Sequence, residues 1–187
     1  MALGDLNTIG DVTRVLQGLL KDEGLEVTLD SPARLPTTTN AGEGFAAVNL
    51  YLFQVTENPY AKNQPWVTRT NGVQEYPPLA LNLHYLLTPY ASDPLSAHQV
   101  LTHAMLKFYQ NTLLPGSSLP DSLRLRVSRL TVNLCPMTLE ELTRIWNALQ
   151  TPYRLSVGYE VRIVLIDSER MAQPNRVLTA THAYDQR

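Results

Sequence analysis

The stretch Met137–Ile166 (MTLEELTRIWNALQTPYRLSVGYEVRIVLI) constrains the fold more than any other part of the chain. Thr138 followed three residues later by Glu141 is a capping-box signature, which starts a helix at Thr138. Leu139, Leu142, Ile145, Trp146 and Leu149 then recur at helical spacing and form one apolar stripe. Thr151-Pro152 stops the helix, because the residue before proline is pushed out of the helical region. Beyond it Tyr153, Leu155, Val157, Tyr159, Val161, Ile163 and Leu165 alternate along the chain, the period of a strand inside a sheet. No group in this stretch is an obvious catalyst.

The rest of the chain supplies partners for that helix and strand. Asp5 to Asp22 reads as a first helix with Ile9, Val12, Val15, Leu16, Leu19 and Leu20 on one face, and Gly24 as its terminator. Leu25–Leu29 is a short strand candidate, and 31–44 is a loop by composition. Val48–Thr56 is the second strand, with Tyr51, Phe53 and Val55 on one face and Leu50 and Leu52 on the other. Apolar residues on both faces predict a strand covered on both sides. Leu79–Tyr90 is the third, with Leu79, Leu81, Leu83, Tyr85 and Leu87 on the core face and Asn82 and His84 opposite. Asp93-Pro94 is an N-cap with proline at the first helical position, opening a helix to about Asn111. A loop over Leu114–Ser122 leads to a fourth strand, Leu123–Leu134, whose change of apolar phase predicts a β-bulge near Ser128-Arg129. Asp167–Asn175 reads as a polar turn region, and Val177–Ala183 as a short last strand or an extended tail.

These elements predict an α+β fold: a mixed, mainly antiparallel sheet of about four to six strands flanked by three helices. The domain is expected over residues 1–167, with a C-terminal tail over 168–187. Tyr51, Phe53, Tyr85, Trp146, Tyr153 and Leu155 are the expected core scaffold. Residues 57–78 form a long excursion containing Asn58-Pro59, Pro65-Trp66, Asn71-Gly72 and Pro77-Pro78. Asn-Gly between Val67 and Val73 is a hairpin signal. A loop of that length in a compact domain is a projecting or functional one. Trp66, Arg69 and Tyr76 are therefore candidate assembly contacts. Arg124 and Arg126, two apart on the expected fourth strand and so on one face, are a second candidate pair, against either solvent or an acidic partner.

Chemistry is hard to place in this sequence. A net charge of −2 provides no electrostatic footprint for nucleic acid. No apolar run reaches the ~20 residues that span a bilayer, and the N-terminus has no basic segment followed by an apolar one. Membrane insertion is not expected, and the chain is expected to fold in the cytosol. Cys135 is the only cysteine, which rules out an intrachain disulfide. Gly42-Glu43-Gly44 is half a nucleotide fingerprint, without the third glycine or a lysine-serine/threonine pair. His98 and His103 are five apart and so off a shared helix face, and no His-Glu-x-x-His or Gly-x-Ser-x-Gly motif occurs. No cofactor, metal or catalytic residue is expected. A hydrolase or metal site using His84 and His98 with nearby carboxylates is the competing reading from another class.

Three segments carry a family resemblance. Val48–Pro59 (VNLYLFQVTENP), Pro78–Thr88 (PLALNLHYLLT) and Leu139–Tyr159, above all its LQTPYRLSV, resemble the N-terminal domain of tail-terminator (cap) proteins. Those proteins belong to extracellular-type contractile injection systems, the phage-tail-like particles. The resemblance runs from the first helix to about Asp167. It implies a phage tail-terminator-like fold and a ring, a homohexamer in the usual case, at the end of the inner tube and contractile sheath away from the baseplate. It implies the inner tube protein, the sheath protein and further copies of this chain as partners, in a particle assembled in the cytoplasm. It supplies no catalytic residue. Family members often carry more sequence after this domain, where this chain has about twenty residues. A small adaptor or baseplate-associated module of such a particle is the alternative role.

Overall fold

The computed structural model describes residues 7–21, 24–34, 46–62, 65–68, 74–124, 127, 129–166 and 171–172. Helix α1 (Thr8–Lys21) packs Val12, Leu16 and Leu20 inward at four-residue spacing and ends at Gly24. Gly24 takes φ +76° while its N–H donates to Lys21 O, a left-handed turn that glycine adopts without a Cβ clash. Strand β1 (Glu26–Thr28) then pairs in parallel with β2 (Ala46–Glu57). Buried Asn49 on β2 ties that pair together, its Nδ2 donating to Thr28 Oγ1 at 3.0 Å and Asp30 O at 2.9 Å.

After β2 come the two-residue strands β3 (Val67–Thr68) and β4 (Gln74–Glu75), then the long β5 (Leu79–Ala91). Helix α2 (Pro94–Gln110) starts at Asp93, whose Oδ1 accepts from Ser96 N at 3.0 Å, with Pro94 where a missing N–H costs nothing. Strand β6 (Leu113–Pro115), the short helix α3 (Asp121–Arg124) and β7 (Arg129–Cys135) follow. The chain then forms α4 (Leu139–Ala148), β8 (Val157–Ile166) and β9 (Met171–Ala172).

One six-stranded sheet has the order β1-β2-β5-β8-β7-β6, antiparallel except at β1. Helices α1 and α2 cover one face, over Val48, Leu50, Leu83, Tyr85, Leu87, Val132, Tyr159 and Val161. Helix α4 covers part of the other through Leu142 and Trp146, which pack on Leu86 with half-buried Phe53 and Met137 around them. This is the α+β, mixed and mainly antiparallel architecture with three principal helices that the strand and helix patterns predict.

Four local expectations are corrected. Residues 123–124 belong to α3 rather than to a strand, so Arg124 does not sit on a strand face. Leu119, Leu123 and Val127 are all buried at four-residue spacing, and the N–H groups of Leu123 and Arg124 both donate to Pro120 O. The strand itself begins at Arg129, and Ser128, where the bulge was expected, lies outside the described residues. The final long strand begins at Val157, four residues after Tyr153. Third, Leu113–Pro115, at the start of the expected loop, pairs with β7 as a strand. Finally, Met171–Ala172, expected in a polar turn, pairs with β4.

Tyr153 and Leu155 are 45% and 44% exposed and are not core residues. Between helix and sheet the inward parity is the opposite of the expected one. Ser156 is buried because its hydroxyl accepts the Trp146 indole N–H, and the Arg154 guanidinium stacks over the Tyr90 ring at 4.9 Å. Tyr153 still meets the edge of Trp146, with ring centroids 6.4 Å apart. Leu79, at the start of β5, is likewise exposed.

Candidate assembly surface

The 57–78 excursion grows from the end of β2 and returns into β5. Val67 pairs with Glu75 and Thr68 with Gln74, an antiparallel hairpin, and β9 adds a third strand beside β4. The chain after β8 therefore comes back to the hairpin of the same subunit. Trp66 and Tyr76 flank the hairpin and meet edge to face, with centroids 5.3 Å apart at 85°. Trp66 is half-buried and Tyr76 is 44% exposed, so the two rings clasp the base of the hairpin while part of Tyr76 faces outward. Asn71-Gly72 and Arg69 lie outside the described residues, as do Arg126, Gly42-Glu43-Gly44, His182 and 173–187.

Tyr60 escaped the sequence reading. At 92% exposure it is the most exposed large hydrophobic side chain among the described residues. The signal was Asn58-Pro59, a turn dipeptide directly before an aromatic. Arg124 is also exposed. It pairs with Asp121 at 3.2 Å on the solvent side of α3, a contact of small energetic value.

A second exposed region lies between α2 and β7. Leu106, Tyr109 and Leu134, all about half or more exposed, border an apolar groove of about 620 Å³ whose floor includes Phe108, Val132 and Tyr159. Phe108 and Tyr159 meet edge to face at 4.8 Å. Burial pushes the Tyr159 phenol up to about 12.

His84 Nε2 lies 3.0 Å from Thr56 Oγ1 across the β2–β5 pair, and its ring meets Phe53 at 6.2 Å. His98 and His103 are exposed on α2. Among the described residues, no group of three or more His, Cys, Asp or Glu could hold a metal ion. Cys135 is half-buried, and its thiol is raised by burial and by the nearby Glu160 and Glu141 carboxylates. That shift disfavours the nucleophilic thiolate. No helix among the described residues is long and apolar enough to cross a membrane.

The expected scaffold residues are split by the fold. Tyr85 and Trp146 are buried at 0% and 1% exposure, whereas Tyr51 and Phe53 are half-buried on the face that α4 covers only in part.

Two solved structures share this architecture. A PVC sheath/tube terminator of an extracellular contractile injection system, in its extended state, superposes with a TM-score of 0.64 at 19% identity. That match covers 95% of this chain and 64% of the other. The tube-terminating cap of the anti-feeding prophage superposes with a TM-score of 0.63 at 18% identity, over 92% of this chain and 60% of the cap. The chain thus spans under two thirds of the length of either protein. No curated protein matches the sequence. The profile of the Pvc16 N-terminal domain matches residues 11–179, from within α1 to beyond β9, and on that extent the chain belongs to the Pvc16 N-terminal domain family.

Proposed function

We propose that this chain caps a contractile injection particle, ending its inner tube and sheath at the end away from the baseplate. The observation that carries the reading is family membership over residues 11–179, together with a fold shared with a sheath/tube terminator over 95% of the chain. Among the described residues His84 is hydrogen-bonded to Thr56 within the sheet and Cys135 is a half-buried thiol, an arrangement that suits a structural part.

In this reading the subunit forms a closed ring, a homohexamer by resemblance to the family, and binds the tube and sheath proteins. A closed ring is built from head-to-tail contacts, so each subunit needs two different complementary patches. The 57–78 excursion, with Trp66, Arg69 and Tyr76, supports one of them, and Arg124 and Arg126 are candidates for another. Met171–Ala172, within the stretch expected as a C-terminal tail, is held against the hairpin.

The test is the mass of the purified chain alone and with tube protein, followed by imaging of particles carrying a labelled subunit. A ring that binds tube ends, and one label at the distal end, are expected. A strict monomer that ignores tube ends overturns the proposal, and a label at the baseplate end replaces it with a baseplate-associated module. Trp66→Ala is expected to lower assembly more than melting temperature.

A further inference from the structure

The 57–78 excursion is tied at two places to one stretch of the chain, β8 and its continuation β9. At the root, Asn58 Nδ2 donates to Asn82 Oδ1 at 2.9 Å, and Asn82 Nδ2 donates to Glu160 Oε1 on β8 at 2.9 Å. Glu160 Oε2 accepts from Arg162 Nε at 2.6 Å. Asn58 also closes the 58–61 turn, its Oδ1 accepting from the Tyr60 N–H at 2.9 Å and its backbone carbonyl from Ala61 N at 3.3 Å. Farther out, at the hairpin, Glu75 pairs with Met171 and Gln74 with Ala172.

The direction of the root tie is set chemically. A backbone N–H can only donate, so Tyr60 holds Asn58 Oδ1 on the turn and leaves the Asn58 NH2 for Asn82. Asn82 then presents its own NH2 to the carboxylate. Asn58, Asn82 and Glu160 are 5%, 6% and 8% exposed, and groups buried this deeply are costly unless each is bonded. The outer tie answers a different need. The β3–β4 ladder is two residue pairs long, Val67 with Glu75 and Thr68 with Gln74, and a lone two-stranded hairpin is marginal in water. β9 makes β4 the middle strand of three and supplies ladder partners on the side away from β3.

We infer that β8 and β9 form a strap that orders the excursion in the free subunit, through Glu160 at the root and Met171–Ala172 at the hairpin. Both ties lie within one chain, so the inference stands apart from the capping role. The root tie governs the 58–61 turn, and the outer tie governs the hairpin. An excursion ordered beforehand loses less conformational freedom in a later contact.

Amide hydrogen exchange on the full chain, alone in solution, is the test. In the wild type, amides at Tyr60, Ala61, β3 and β4 are expected to be protected. Met171→Pro and Ala172→Pro each remove one backbone donor of β9. The one whose N–H faces β4 should speed exchange in β3 and β4 about tenfold and leave 60–61 unchanged. Glu160→Leu removes the acceptor of Asn82 and should speed exchange at Tyr60 and Ala61 about tenfold. Glu160→Gln keeps an acceptor for Asn82 and should keep the turn protected. The amides of β5 and β8 should keep their protection throughout. If Glu160→Leu does not fold, Asn82→Ala carries the same measurement. Unprotected excursion amides in the wild type overturn the strap. So does unchanged β3–β4 exchange in both proline variants, because the hairpin then stands by itself. Unchanged exchange at 60–61 on loss of the Asn82–Glu160 bond overturns the root tie. An equal rise across the whole sheet overturns both ties, since they would then add only to global stability.

Discussion

Trp146 donates its indole N–H to the hydroxyl of Ser156 at 3.1 Å, joining α4 to the segment that leads into β8. The Ser156 hydroxyl itself donates to Arg154 O at 3.2 Å, so the connection between helix and sheet is hydrogen-bonded from both sides. With Trp146 1% exposed beside Leu86 and Leu142, this contact holds α4 on its face of the sheet. Trp146→Ala should lower stability by ~3–5 kcal/mol through the cavity it leaves. Trp146→Phe keeps most of the volume but removes the donor, and should cost about 1–2 kcal/mol. The midpoints of urea unfolding measure both, and an unchanged midpoint for the alanine variant contradicts the packing.

The end of α4 carries local strain. Gln150 adopts φ 55°, while its N–H donates to Asn147 O at 3.0 Å and Thr151 N–H to Trp146 O at 3.4 Å. That is the Schellman pattern with glutamine in the left-handed position that glycine favours. Gln150→Gly should raise stability by about 0.5–1 kcal/mol, strain relief outweighing the added freedom of the unfolded chain. Gln150→Val should lower it. Thermal unfolding of the pair decides the sign.

Gly158 is the close-approach point between β7 and β8. A Cβ there would lie 2.6 Å from Met137 Sδ and 2.9 Å from Cys135 O. The thioether can move, but the strand carbonyl opposite cannot. Gly158→Ala should cost about 1–3 kcal/mol. Adding Met137→Ala should restore none of the part due to the carbonyl, which a comparison of the single and double variants by denaturant unfolding separates.

The capping box of α4 makes its stability pH-dependent. Glu141 Oε2 accepts from Thr138 N at 2.7 Å and from the Thr138 hydroxyl at 2.9 Å, and these two bonds lower the Glu141 pKa. A carboxylate lowered in the folded state contributes stability above its unfolded pKa of about 4.3 and loses it as pH falls through the lower folded value. Thr138→Ala should cost ~1 kcal/mol at neutral pH. It should also move the Glu141 titration upward toward the ordinary glutamate value, as read by NMR.

At the alkaline end the buried tyrosines set the limit. Tyr85 is raised to about 12 by burial, partly offset by its 2.8 Å hydrogen bond with Thr13 Oγ1. Tyr159 is raised to about 12 by burial alone. Phenols raised in the folded state contribute stability that is complete below the unfolded pKa of about 10 and lost as pH climbs to about 12. Tyrosinate absorbance from these two rings should therefore appear together with unfolding. Thr13→Val, which removes the bond that lowers Tyr85, should push its ionisation higher still.

Local chemistry is legible in the chain because it repeats over a few residues. The Thr138–Glu141 box, the Asp93-Pro94 helix start, the Gly24 stop and the alternation along β2 and β5 all depend on neighbours in sequence, and the structure places them where those patterns point. The α+β class follows from them. The order β1-β2-β5-β8-β7-β6 does not, since pairing joins strands that are distant in the chain.

Only the tertiary structure decided which residues of 152–156 turn inward, because Ser156 answers a donor on α4 rather than the period of a strand. Only it showed that Leu123 and Arg124 end the short helix α3 rather than open a strand, where a strand pattern fits the same residues. The candidate surface divides in the same way. Asn58-Pro59 marks a turn from sequence alone, but the partner that roots it, Glu160, reaches Asn82 across 78 residues. The helix and strand of Met137–Ile166 were determined by local periodicity and capping, while the facing of the segment between them was decided by a hydrogen-bond partner that only folding brings together.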